Sequence, residues 1–269
     1  MPLPISRHDV VLVTGASAGI GEAVALRLAR RGVRLALAAR TASELEATAE
    51  RCRALGAEVF ARATDVGVEA ECRAFVEEAA RRFGRIDVLL NNAGITMWAP
   101  FASITDLSMA ERIMRVNYLG CVWCTRAALP HLRASQGRLA AVSSLAGLTG
   151  VPTRTLYAAS KHAVRGFFDS LRIELAGSGV TVTVAYPGFV ATRVRERGFG
   201  ADGRPLGTSP VRDRDAMTAD ECARRIVAAL DGRKREVVMT LRGRVGQWLK
   251  LVLPSLVDRI AARAIATGR

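Results

Sequence analysis

The 269-residue sequence predicts an α/β fold, a doubly wound, seven-stranded and mainly parallel sheet with helices on both faces. Three observations predict it. Apolar strand-like runs alternate with amphipathic helical segments along the chain, the first run leads through a glycine turn into a helix, and no linker or internal repeat interrupts the pattern. The length suits one α/β domain, so residues 1–269 are expected to form a single domain with its core at about 8–240.

Taken in order, Val10 to Val13 form a β-branched and Leu run within a strand at 10–14, and Val24, Ala25 and Leu28 recur at helical spacing after Gly21. Further strands fall near 34–39, 57–61, 87–91, 138–143, 180–186 and 236–239, with helices between them. Seven such runs suit an open doubly wound sheet and fall one short of an eight-stranded barrel. The longest aperiodic stretch, 193–216, is rich in Gly, Pro, Arg and Asp. A loop of that length in a compact domain is functional or disordered more often than idle, which makes it the candidate substrate loop.

The first strand, turn and helix carry Gly15, Gly19 and Gly21 in a GxxxGxG spacing. Such glycines permit a tight turn, let the backbone approach a pyrophosphate and seat the phosphates at a helix N-terminus. Glycines at loose spacing are common, so the strand before and the helix after are what give this match its weight. At the end of the next strand, a chain that holds a ribose 2′-hydroxyl places a carboxylate, whereas a 2′-phosphate wants positive charge. Ala39 and Arg40 stand there, followed by Thr41 with a hydroxyl donor. Arg40 is suited to a forked contact with phosphate, so NADP(H) is favoured over NAD(H); the alternative is a solvated surface arginine.

Tyr157 and Lys161 are four residues apart in LYAASKHAVRGFF, and Ser143 and Ser144 lie upstream in AVSSLAG. On a helix that spacing puts a phenol and an ammonium on one face, where the cation favours the phenolate. A phenol so tuned can give or take a proton nearer neutrality, as carbonyl reduction requires.

Together these residues resemble the short-chain dehydrogenase/reductase family, over roughly residues 8–240 and in family-like order. TGASAGIG at 14–21 resembles its cofactor loop, Asp65 in ATDV its adenine contact, NNAG at 91–94 the turn after its fourth strand, and YPGFVATR at 186–193 its nicotinamide-side loop. The resemblance implies a Rossmann fold with cofactor contacts from Gly15, Ser17, Gly19, Ile20, Gly21, Arg40, Thr41, Asp65, Val66, Asn92, Ala93, Gly94, Tyr157, Lys161, Pro187, Gly188, Val190 and Thr192. It implies a catalytic tetrad of Asn117, Ser144, Tyr157 and Lys161, with Ser144, thirteen residues before Tyr157, fitting better than Ser143. Within the family, Ala39-Arg40, SSLAG and YAASKHAVRGFF look like the NADP-preferring carbonyl reductases and hydroxysteroid dehydrogenases.

The function expected is reversible hydride transfer between NADP(H) and a carbonyl or secondary alcohol. Tyr157 would act as general acid, Ser144 would polarise the carbonyl, Lys161 would tune the phenol and hold the nicotinamide ribose, and Asn117 would support a water chain. Met97, Trp98, Leu145, Phe189 and the 193–216 segment suggest an apolar pocket and a hydrophobic substrate. The alternative is a non-catalytic NADP(H)-binding sensor or scaffold, for which the Ser, Tyr and Lys together have no chemical use.

The formal charge of +14 is almost all arginine, the only lysines being Lys161, Lys234 and Lys250. These arginines are scattered over helix faces without a recognition motif or interleaved aromatics, which argues against nucleic acid as a partner. They read as solvated surface first, then as attraction for an anionic substrate or carrier or for an acidic membrane. Cys52, Cys72, Cys121, Cys124 and Cys222 form no disulfide framework, and the Cys121–Cys124 CxxC lies in a helix without partners, so no metal is expected. His8, His131 and His162 read as surface or packing residues. MPLPISRHDV lacks the features of a signal peptide, and no run has roughly 18 uninterrupted apolar residues. A cytoplasmic homo-oligomer, dimer or tetramer, is expected.

The extension at 242–269 places Val245, Trp248, Leu249, Val252, Leu256 and Ile260 near one stripe beside several cations, with Pro254 set to kink or divide it. Packing or subunit contact is preferred there over peripheral membrane contact.

Overall fold

The computed structural model describes residues 3–194, 196–208 and 216–266. Its seven strands are β1 (Val10–Thr14), β2 (Arg34–Ala39), β3 (Glu58–Ala63), β4 (Val88–Asn91), β5 (Arg138–Val142), β6 (Thr181–Tyr186) and β7 (Glu236–Val238). They form one sheet in the order β3-β2-β1-β4-β5-β6-β7, and every neighbouring pair is parallel. The sheet is thus wholly parallel, and its ends lie within a few residues of the sequence reading, β3 running on to Ala63.

β1 is buried along its whole length, as a parallel strand covered on both faces must be. Its alternation still sorts the two faces: Val11 and Val13 enter the core beneath α1 (Gly19–Ala29), α2 (Ala42–Ala54) and α7 (Ala219–Asp231). Val10 and Leu12 enter the core shared with α3 (Glu69–Phe83), α5 (Gly120–Ala134) and α6 (Thr155–Glu174). Strand order reverses between β1 and β4, which opens a crevice at their C-terminal ends, where doubly wound sheets bind ligands.

One feature turns a side chain into that crevice, and a second braces the wall behind it. On α6, Lys161, Val164, Phe168 and Leu171 are buried at i, i+3 and i+4 spacing, so the stripe that packs the helix on the sheet also carries Lys161 inward. Between α4 (Ser108–Met114) and α5, residues Arg115–Leu119 widen into a π turn that holds buried Asn117.

The described part of the 193–216 segment folds back over the crevice. Phe199 N–H donates to Thr96 O (2.9 Å) and Phe199 O accepts from Trp98 N–H (2.8 Å). Arg195 and residues 209–215, also assigned to this loop, lie outside the described residues. The C-terminal extension is two helices, α8 (Leu241–Val252) and α9 (Pro254–Ala266), so of the two effects expected of Pro254 it divides the segment, starting a new helix. α8 packs on the loop after β5: Lys250 Nζ donates to Leu148 O (3.2 Å), and a Cβ on Gly243 would come within 2.3 Å of Leu145. Trp248, Leu251 and Val252 remain exposed. Among the described residues no helix is long and apolar enough to cross a membrane.

Candidate active site

A cavity of about 700 Å³ occupies the crevice. Its floor is built by close backbone approach. Thr14 Oγ1 accepts from the N–H groups of Asn92 (3.0 Å) and Ala93 (3.1 Å), and Asn92 Nδ2 donates to Thr14 O (3.0 Å) and Gly15 O (3.1 Å), joining the ends of β1 and β4. Gly15 and Gly19 take left-handed backbone angles, φ +67° and +61°. A Cβ on Gly15 would stand 2.7 Å from Ala93 Cα, and one on Gly21 2.2 Å from Gly15 O. Only glycine makes this turn and leaves a backbone cradle in front of the α1 N-terminus, where an anion is favoured. The chain therefore fits the pyrophosphate of a dinucleotide.

Most residues expected to hold the cofactor line this cavity: Gly15, Ser17, Gly19, Ile20, Arg40, Asp65, Asn92, Ala93, Gly94, Tyr157, Lys161, Pro187, Gly188, Val190 and Thr192. Three of the expected residues do not line it. Gly21 supports the turn from behind, Thr41 is exposed at the start of α2, and Val66 is buried in the core, with Gly67 and Val68 lining the wall instead. Asp65 Oδ1 accepts from Gly67 N–H (2.8 Å), which fixes that turn. At the end of β2, Ala39 is buried and Arg40 is exposed, and no carboxylate among the described residues pairs with Arg40.

Ser144, Tyr157 and Lys161 come together at the other end of the cavity. Lys161 is buried, its Nζ donates to Val142 O (2.9 Å) and lies 5.7 Å from the Tyr157 ring centroid. Burial pushes the Tyr157 phenol up, but the Lys161 and Arg154 cations and hydrogen bonds with Ser144 and Arg154 outweigh it, leaving the phenol below its ordinary pKa. Ser144 thus addresses the phenol, whereas Ser143 is buried with its Oγ donating to Lys161 O (3.0 Å), a packing contact. Asn117 Oδ1 accepts from Ile95 N–H (2.8 Å), and its Nδ2 donates to Ile95 O (2.9 Å) and Ser160 Oγ (2.9 Å). Its side chain clamps the π turn to the strand end and to α6. Gly94 leaves the space between Asn117 and the Lys161 ammonium.

The apolar wall differs in part from expectation. Phe189 lines the cavity and stacks on Trp98 (6.1 Å between centroids), but Met97 is buried in a satellite core with Ala99, Met109 and Ile113. Phe199 lines the cavity, brought there by its pairing with residues 96–98. Arg154 is the main residue that sequence reasoning missed. It lies just before α6, three residues ahead of Tyr157, and its guanidinium stands 4.3 Å from the ring centroids of both Trp98 and Tyr157. The i, i+3 spacing to Tyr157 was its signal.

The chain's residues 9–200 match the family model described as short chain dehydrogenase. The 11-beta-hydroxysteroid dehydrogenase 1A of Arabidopsis thaliana is 37% identical over 256 residues, covering 93% of this chain and 73% of the relative. A short-chain dehydrogenase/reductase from Burkholderia phymatum, solved with NAD, superposes with a TM-score of 0.82 at 27% identity, covering 94% of this chain and 96% of that one. An alcohol dehydrogenase from the archaeon Thermococcus sibiricus, solved with 5-hydroxy-NADP, gives 0.76 at 28% identity over 86% and 95% of the two chains. A glycine cradle at the strand-order reversal, a Ser-Tyr-Lys group facing it and these similarities have one common account: the chain belongs to the short-chain dehydrogenase/reductase family, oxidoreductases that act on the alcohol–carbonyl couple with a nicotinamide cofactor.

Proposed function

We propose that this protein is an NADP(H)-dependent oxidoreductase that interconverts a carbonyl and a secondary alcohol on a substrate with a hydrophobic body. The observation that carries the reading is Tyr157, a phenol held below its ordinary pKa beside Ser144 at the edge of a dinucleotide cradle. When bound, the nicotinamide supplies or accepts the hydride. In the reducing direction the Tyr157 hydroxyl donates the proton to the forming alkoxide, Ser144 Oγ donates a hydrogen bond to the same oxygen, and Lys161 keeps the phenol acidic. Asn117 positions the Ile95 backbone and α6 around this group.

Arg40 supports the choice of NADP(H): a guanidinium without a carboxylate partner among the described residues stands where a ribose 2′-phosphate would arrive, and Ala39 offers no acid to a 2′-hydroxyl. Phe189 and Phe199 support an apolar substrate body. The same proposal makes the protein a homo-oligomer in the cytoplasm, with exposed Trp248, Leu251 and Val252 as subunit contact in preference to lipid; its free cysteines suit a reducing compartment. A panel of carbonyl compounds screened by NADPH oxidation tests the reading. Turnover with NADPH over NADH is expected, and tight NADPH binding without turnover across the panel would favour a binding protein instead.

A further inference from the structure

Among the described residues no carboxylate answers the charge of Arg154. Arg154 is 8% exposed and lines the cavity next to Tyr157. Nη2 donates to Thr96 Oγ1 and the guanidinium lies against the Trp98 and Tyr157 rings, yet its Nε–H is buried without a partner. Other arginines of the cavity are answered: Arg112 by Asp106 (2.7 Å), Arg115 by Glu111 (2.9 Å), and Arg193 and Arg197 by Glu44 (3.4 and 2.6 Å). Arg40, also without an acid among the described residues, is exposed. A buried cation without an acid is unfavourable, and two aromatic faces and the hydroxyls of Thr96 and Tyr157 offset it only in part.

An unpartnered Nε–H on a guanidinium that lines the cavity is a donor that only an acceptor atom can satisfy, and so points to an incoming acceptor. Trp98 Nε1, on the ring that backs Arg154 behind the cavity wall, is likewise buried without a partner. The preceding residue, Thr153, is β-branched but held at φ +65°, with its carbonyl accepting from Ala99 N–H (2.9 Å).

We infer that Arg154 binds an anionic oxygen of the substrate, and that the substrate class is an oxo or hydroxy acid with an apolar body and a carboxylate within one or two carbons of the reacting carbon. The short separation follows from the packing of the guanidinium on the Tyr157 ring: a molecule whose carbonyl meets the Tyr157 hydroxyl has few bonds to span before reaching Arg154. A carboxylate takes the guanidinium's donors with charge-assisted hydrogen bonds, and Phe189 and Phe199 take the apolar body. The assignment rests on the oxidoreductase reading and narrows its substrate.

The test compares phenylglyoxylate with its methyl ester, which differ in the charge beside one carbonyl. Binding to the NADP⁺-loaded protein is measured by calorimetry for wild type, R154M and R154K, and NADPH oxidation is followed in parallel. Wild type should bind the acid about tenfold or more tighter than the ester; R154M should weaken the acid by about 10- to 100-fold with little change for the ester, and R154K should recover part of the loss. Any effect passing through Tyr157 alone falls on both compounds and cancels in their ratio. Equal binding of acid and ester by wild type, or parallel losses of both in R154M, overturns the assignment, and the wild-type comparison decides even where a variant folds poorly. Failure of the oxidoreductase reading shows separately, as absence of NADPH oxidation with either compound while the binding comparison still reports on Arg154.

Discussion

Lys161 is anchored on β5: its Nζ donates to the carbonyl of Val142 at 2.9 Å, which fixes a buried ammonium 5.7 Å from the Tyr157 ring. That bond holds a flexible side chain in one place, so the charge acts steadily on the phenol instead of sampling the cavity. Tyr157→Phe should therefore abolish turnover, lowering kcat by about 10² to 10⁴-fold, while NADPH affinity stays within a few-fold. Lys161→Ala should damage both. Steady-state kinetics with fluorescence titration of NADPH checks the pair, and near-wild-type kcat in Tyr157→Phe would show that another group supplies the proton.

The lowered pKa of Tyr157 has a direction that activity should follow. Reduction needs the protonated phenol, so its kcat/KM should fall as pH rises through the lowered pKa; oxidation needs the phenolate and should rise over the same interval. Arg154 is one of the cations that lower it, after Lys161. In R154M the phenol keeps its proton longer, so both midpoints should move to higher pH. A pH–rate profile on a neutral ketone that keeps its midpoint in R154M would mean that Arg154 has no hold on the phenol.

At the cofactor's ribose, Arg40→Ala should weaken NADPH by about ten- to hundred-fold and leave NADH nearly unchanged, because only the 2′-phosphate loses a charge-assisted contact. Ala39→Asp combined with Arg40→Ala should go further and turn the preference toward NADH. Equal weakening of both cofactors in a binding titration would assign Arg40 a structural role.

Gly21→Ala tests the cradle itself. Its Cβ would be built 2.2 Å from Gly15 O and 2.5 Å from Asn92 Nδ2, so the turn or the Asn92 clamp must give way. Overpacking of this kind costs about 1–3 kcal/mol, which should appear as a Tm lowered by roughly 2–10 °C together with weaker dinucleotide binding. An unchanged Tm and unchanged NADPH affinity would show that the clamp is dispensable.

Deleting the residues after Arg242 removes Lys250 from Leu148 O and uncovers Leu145 beside the Ser144 loop. The truncated protein should be less stable or change its oligomer mass by light scattering, and the intact protein should stay mostly free of anionic vesicles. Salt-sensitive sedimentation with those vesicles, with stability and mass of the truncation unchanged, would reverse the choice.

The sequence by itself determined what depends on neighbours along the chain. A glycine at positions 15, 19 and 21 reads as a turn wherever strand and helix flank it, and Tyr157 and Lys161 share a face on any helix. The alternation of β1 likewise sets which side chains enter which core. Tertiary structure decided what depends on distant segments. Met97 and Phe199 are separated by a hundred residues of chain, and their pairing turned one into a satellite core and the other onto the cavity wall. Val66 reads like its neighbours in ATDV, yet the close approach of Gly120, whose Cβ would stand 2.7 Å from Val66 O, belongs to its burial. Arg154 is the clearest case: its spacing of three from Tyr157 is legible in the chain, but its burial is set by Trp98 and Thr96 arriving from β4's loop. Spacing fixes which face a side chain takes; whether that face meets water, a carboxylate or an empty cavity is settled by what the fold brings opposite it.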